Sequence, residues 1–162
     1  MLDNGLEVRL RPNHDHPRVG VCLTYRVGSR DDPRGYRGLA HLVEHLMFQG
    51  SRNIPEDAFF DYLQSAGGNG NGTTGGDRST YSAVLPAGRL NLALWLESDR
   101  MAYLLDHLDQ ETLDQQRAVV RREWEERHGS RPTYRAAQFV REALYPEGHP
   151  YRSLHQGPDD LD

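Results

Sequence analysis

Apolar and polar residues alternate at the start of the chain. Leu6, Val8 and Leu10 are separated by Glu7 and Arg9, the period of two that predicts a half-buried strand. Asp3-Asn4-Gly5 before this run reads as a turn, and the loop from Pro12 to Pro17 leads to a second run, Val19, Val21, Leu23, Tyr25 and Val27. Two such strands with a short connection most simply pair antiparallel, with one face solvated. From Leu39 the period lengthens, and Leu39, Leu42, Val43, Leu46 and Met47 recur at three- and four-residue steps. This predicts a helix that Gly50 closes. Pro55 is expected to open a second helix over Phe59, Phe60, Tyr62 and Leu63, ended by Gly67-Gly68. The stretch from Gly67 to Gly76 is dense in glycine, and a clear strand follows from Thr80 to Leu85. Pro86 is expected to start a long helix through Leu90, Leu94, Met101, Leu104 and Leu105. A further helix is expected from about Asp109 to Arg127, with a short one after Pro132. The order predicts an α+β fold, a mostly antiparallel sheet with helices packed on one face.

Composition narrows the function classes. The 162 residues make room for one compact domain, and 36% apolar residues imply a modest core that leans on a neighbour. The formal charge of −5 offers no attraction to nucleic acid. All 19 basic residues are arginine, spread from Arg9 to Arg152 without a cluster, which reads as compositional bias rather than an anion site. No apolar run is long enough to cross a bilayer. The N-terminus lacks the basic region, apolar core and cleavage site of a signal peptide. As written the chain reads as cytoplasmic, or as periplasmic where a leader precedes it. Cys22 is the only cysteine, so neither an internal disulfide nor a cysteine-based zinc site forms. It falls on the outward phase of its strand, as a small filler.

His41-Leu42-Val43-Glu44-His45 lies on the first predicted helix. His45 falls about 40° from His41 and Glu44 about 60° to the other side, so the three share a side. Imidazoles at i and i+4 can hold a zinc ion, with a carboxylate beside them to reach water. The plainer alternative is a helix surface that carries two histidines and an acid. Against it, these residues interrupt the apolar stripe, where stability alone prefers hydrocarbon. A third ligand is needed. On the helix from Asp109, Leu113, Val119, Val120 and Trp124 define the apolar face, and Glu123 falls inside that arc. A carboxylate there must be metal-bound or paired, for instance with Arg117.

These residues resemble a family. His41-Leu42-Val43-Glu44-His45 matches the inverted zinc motif H-x-x-E-H of the pitrilysin and insulin-degrading peptidases, which include mitochondrial processing peptidase. The likeness runs along essentially the whole chain. Leu2 to Leu6 resembles the family's opening strand, Asn71-Gly72-Thr73-Thr74 its substrate-edge strand and Glu97-Ser98-Asp99-Arg100-Met101 its long helix. Gln116 to Glu123 resembles the segment that supplies the distant carboxylate ligand. The resemblance implies Zn2+ as cofactor, with His41, His45 and Glu123 as ligands. It implies an endopeptidase acting on peptides or unfolded protein segments, with Glu44 as the general base that takes a proton from zinc-bound water. Asn71, Gly72 and Thr73 are implied as substrate-binding, and Gly148-His149-Pro150-Tyr151 as a structural loop. Gln116 stands where some relatives carry a helper carboxylate, and Gly72 where they often have alanine.

The resemblance also implies that residues 1–162 are a partial N-terminal catalytic domain, truncated at Gly157 to Asp162, with the remaining half-domain absent. A second half-domain or homologous subunit is the implied partner, and the isolated chain is expected to be inactive. A non-catalytic peptide-binding subunit of a peptidase complex is the alternative, since the family contains subunits that have lost the motif. The intact His41, Glu44, His45 and Glu123 argue against it.

Overall fold

The computed structural model describes residues 1–129 and 131–154. Strands β1 (Arg18–Tyr25), β2 (Asn69–Thr74) and β3 (Ser79–Pro86) form one antiparallel sheet in the order β1-β3-β2. On β3, Ser79, Tyr81, Ala83 and Leu85 are buried while Ser82 and Val84 face solvent. The register sets Val19, Val21, Leu23 and Tyr25 of β1 across from the buried set, and Gly70, Gly72 and Thr74 of β2 on its other side. The opposite face is polar, with Cys22, Ser82 and Asn71 in one cross-strand row, all exposed.

Helices cover the apolar face. From α2 (Ala58–Ser65) come Phe59 and Leu63, and from α3 (Leu90–Tyr103) Ala93 and Leu96. Both pairs pack with Ile54 against Ala83 and Leu85. A second apolar cluster joins α1 (Leu39–Leu46) to α4 (Gln110–Trp124) through Leu42, Leu46 and Val120, with Leu39, Leu108 and Leu113 at its margin. Beyond α4 the chain continues as a π turn over Glu125–Gly129, and α5 (Pro132–Leu144) follows with no fully buried residue. No described helix is long and apolar enough to cross a membrane.

The core also contains charge. Arg100 is 2% exposed, and its guanidinium donates to Glu97 at 2.6 and 2.9 Å and to the carbonyl of Met47 at 3.4 Å. The rings of Phe48, Phe59 and Tyr81 surround it, with centroids 4.9, 4.4 and 4.4 Å away, so desolvation of the cation is offset by both a carboxylate and π faces. Next to it, buried Asp99 accepts from the Ser51 hydroxyl, from Asn53 Nδ2 at 2.6 Å and from the Asn53 amide at 3.2 Å. α3 thereby holds both the end of α1 and the turn that follows it.

Six sequence expectations change. Residues 6–10 form no strand, and Leu6, Val8 and Leu10 are 44, 46 and 86% exposed. Alternation alone does not make a strand, and β1 pairs with β3 while its other edge has no partner strand among the described residues. Val27 lies past the end of β1 and is exposed. On α3 the inward stripe is Ala93, Leu96, Glu97 and Arg100, while Leu94, Met101 and Leu105 are exposed. The helix begins at Leu90 rather than at Pro86, which ends β3, and its buried stripe carries an ion pair. α1 ends at Leu46 with Met47 as cap, before Gly50, and α2 begins at Ala58 rather than at Pro55, whose carbonyl instead closes a turn onto the Ala58 amide. The helix after Pro132 spans 13 residues and is not short. The terminal segment Gly157 to Asp162 lies outside the described residues.

Replacing Arg100 by Met strands Glu97 in the core and is expected to cost about 3–5 kcal/mol in urea unfolding. The double change Glu97→Leu, Arg100→Met should recover most of that loss. Asp99 gives a pH signature. Burial alone raises its carboxyl, but the hydrogen bonds from Asn53 and Ser51 outweigh burial and hold it below the ordinary aspartate value of 3.8. Its contribution is therefore full above pH 3.8 and is lost as pH falls below that value through the depressed native one. Asp99→Asn should flatten this part of the stability–pH curve measured by thermal unfolding.

Candidate metal centre

α1 is fixed at both ends and along one side. At its start the Asp32 carboxylate accepts the amides of Gly38 and Ala40, both at 2.8 Å, capping donors that the helix leaves unpaired. Burial raises the Asp32 carboxyl, and these two amides only partly oppose it. At its end Met47 is held by Arg100. Leu42 and Leu46 seat on Val120 of α4, a helix that Asp109 caps by accepting the Thr112 amide at 2.8 Å. With that stripe buried, the rotation of α1 leaves His41, Glu44 and His45 at the margin of the core, all half-buried.

The two imidazoles converge, with His41 Nε2 3.3 Å from His45 Nε2 and the rings edge to face at 4.8 Å. Glu123 reaches them from α4. Its Oε2 is 3.8 Å from His41 Nε2 and its Oε1 3.7 Å from His45 Nε2. Among the described residues this is the one group of three histidine, cysteine or carboxylate side chains gathered closely enough for a metal, all ligand atoms lying within 4.8 Å of one another. Two nitrogens about 2.0–2.1 Å from a tetrahedral zinc ion lie about 3.4 Å apart, close to the separation here. Burial, and next the neighbouring His45, push the His41 imidazole below 6.5, favouring the neutral form a metal needs. The arginine that meets Glu123 is Arg127, at 3.1 Å and one turn on, while Arg117 bonds Asp114 at 3.2 Å. The Arg117 pairing weighed from the sequence is thus not the contact Glu123 makes.

Glu44 turns from α1 toward β2. Its Oε2 is fully buried and has no hydrogen-bond partner, the condition of a carboxylate oxygen whose donor is still to arrive. A Cβ at Gly72 would stand 3.0 Å from Glu44 Cγ, 3.2 Å from its Oε1 and 2.8 Å from Phe48 Cε2. Glycine at 72 is therefore what lets the carboxylate lie against the strand. Asn71 and Thr73 point to the exposed face, so of the three predicted substrate-binding residues only Gly72 faces Glu44. β2 is an edge strand with β3 as its neighbour on one side.

Phe48, Tyr81 and Arg100 support this arrangement from below and were not singled out in the sequence. The signal was present in the spacing of Ala93, Leu96, Glu97 and Arg100, a helical stripe whose charges sit three apart.

The fold and cluster define an α+β protein with two histidines and one carboxylate gathered across two helices, closely enough to hold a metal ion. The model of the insulinase family, peptidase family M16, matches residues 7–155, and the chain belongs to that family of peptidases. It is 32% identical over 161 residues to Coenzyme PQQ synthesis protein F of Pseudomonas aeruginosa and 32% identical over 150 residues to Protease 3 of Escherichia coli, covering 99% and 92% of this chain. It spans only 20% and 15% of the length of those relatives. A protease from Helicobacter pylori superposes with a TM-score of 0.82 at 28% identity over 90% of this chain and 35% of its own. Pitrilysin superposes with a TM-score of 0.78 at 27% identity over 91% of this chain and 16% of its own.

In the metal-free protein His41 is expected to titrate below 6.5, so that protonation as pH falls through 6.5 destabilises the fold until the native value is passed. His45→Ala should move the His41 midpoint upward without restoring it fully, since burial remains. Ring-proton NMR titration of both proteins measures this.

Proposed function

We propose that this chain carries the metal-holding half of a zinc-dependent endopeptidase site that acts on peptides or unfolded protein segments. The observation that supports it best is one juxtaposition, the convergence of His41, His45 and Glu123 beside the buried, unpartnered Oε2 of Glu44. Two neutral imidazoles and a carboxylate are a donor set suited to zinc and leave a position open. When bound, the ion supplies Lewis acidity, polarising a peptide carbonyl and acidifying water.

The chain's own residues do the rest. Glu44 accepts the proton of the attacking water at its carboxylate and returns it to the leaving amine. Its seat between Phe48 and Gly72 restricts where that proton is taken. The free edge of β2 over Asn71, Gly72 and Thr73 receives the substrate as an added strand, through main-chain hydrogen bonds. These residues wall the substrate on one side only. A second half-domain or a homologous subunit supplies the facing wall, in keeping with the much greater length of the relatives.

Metal analysis of the purified protein is expected to give one zinc per chain, lost in His45→Ala and weakened in Glu123→Gln. In the full-length protein Glu44→Gln should keep zinc and lose about 10²–10⁴-fold in kcat on a flexible fluorogenic peptide. Zinc-free wild-type protein, or a fully active Glu44→Gln enzyme, contradicts the proposal.

A further inference from the structure

β2 presents a problem of register. Its inward residues are Gly70 and Gly72, so apart from Thr74 no side chain anchors the strand to the helices beneath it. Glycine-rich edge strands specify their register weakly, and a slip of one residue exchanges the two faces. Here a slip is consequential, because it would turn Asn71 or Thr73 inward, where even a Cβ meets Phe48 at 2.8 Å and Glu44 at 3.0 Å. Phe48 cannot retreat, being stacked on Phe60 at 4.8 Å and edge-on to Phe59 at 5.3 Å. The displacement would fall on Glu44.

The tip of the β2–β3 hairpin is gripped from outside the sheet. The amides of Ser29 and Arg30 donate to the carbonyls of Gly75 and Gly76, each at 3.0 Å. Gly28 makes that approach possible, since a Cβ there would lie 2.5 Å from the Gly75 carbonyl. Asp77, at the tip, accepts from Arg30 Nη1 at 2.8 Å and from the Tyr151 hydroxyl at 2.5 Å. Tyr151 comes from the far end of the described chain. Its ring is edge-on to Tyr145 at 5.6 Å, and Arg152 ties the same segment to the Tyr145 carbonyl at 2.6 Å.

We propose that Asp77 and Tyr151, with Arg30, form a register lock for β2, positioning residues that keep Gly72 opposite Glu44. The lock lies remote from the metal ligands and touches no reacting group. It acts by denying the hairpin the sliding freedom that its glycines would otherwise allow. Its consequence for catalysis rests on the peptidase reading above, whereas its mechanical effect does not.

The test uses hydrogen exchange in the full-length protein. Asp77→Ala, which removes both bonds, should speed exchange of the β2 amides at least tenfold, with the β1–β3 ladder and the α1–α4 region unchanged. Tyr151→Phe removes only the hydroxyl, keeps the ring contacts and should give a smaller change at the same amides. It also serves if Asp77→Ala does not fold. Arg52→Ala, which breaks the exposed Arg52–Asp106 pair, is the control for general surface damage and should leave β2 unaffected. Zinc content should be unchanged in the lock variants, and KM for a flexible peptide should rise several-fold with a smaller change in kcat. Unaltered β2 exchange in both lock variants, or equal loosening of the whole sheet, overturns the proposal. If Glu44→Gln proves fully active while β2 exchange still rises, the peptidase reading fails and the lock stands.

Discussion

One buried cation organises this molecule. Arg100 sits at the meeting point of α1, α3 and β3, enclosed by Glu97 and three aromatic rings, with a hydrogen bond to the carbonyl of Met47, the residue that caps α1. A guanidinium removed from water is costly unless every direction is satisfied, so its partners are held to a narrow geometry. Met47, Phe48 and Tyr81 are fixed as a result. Phe48 in turn lies with Glu44 against Gly72 of β2. The surface around Glu44 thus inherits its order from a charge that never meets solvent.

Different parts of this arrangement were legible in the sequence to different degrees. His41, Glu44 and His45 were readable because helical spacing alone places them together, whatever the tertiary fold. Glu123 was readable through helical phase, as an acid on an otherwise apolar face. β1 and β3 were readable because alternation reports a sheet with one face buried. The run at Leu6, Val8 and Leu10 has the same alternation and no pairing, since periodicity alone does not fix a strand without packing against neighbours. α3 misled for the opposite reason. Its inward stripe contains Glu97 and Arg100, and a reading based on hydrophobicity assigns such residues to solvent.

The two apolar clusters divide the work of the scaffold. One seats α2 and α3 on the sheet, and the other binds α1 to α4. Glu123 and the two histidines come from the two helices that the second cluster joins, so their separation depends on how Leu42 and Leu46 pack on Val120. Substitutions in that small cluster change the separation of His41, His45 and Glu123 without touching any of the three. The first cluster is larger and holds β1 and β3 against α2 and α3.

The bare inner face of β2 has a consequence for what such an edge can distinguish. Under the function proposed above, an edge whose inner face offers main chain and almost no side chain reads shape before sequence. Any segment able to lie extended presents the same ladder of amides and carbonyls to it, whatever its side chains. A segment held in a helix has already committed those groups internally and presents nothing to pair. Proline interrupts the ladder by lacking an amide hydrogen. Under that proposed function, discrimination at this edge is conformational, sorting chains by whether they are unfolded and not by what they spell.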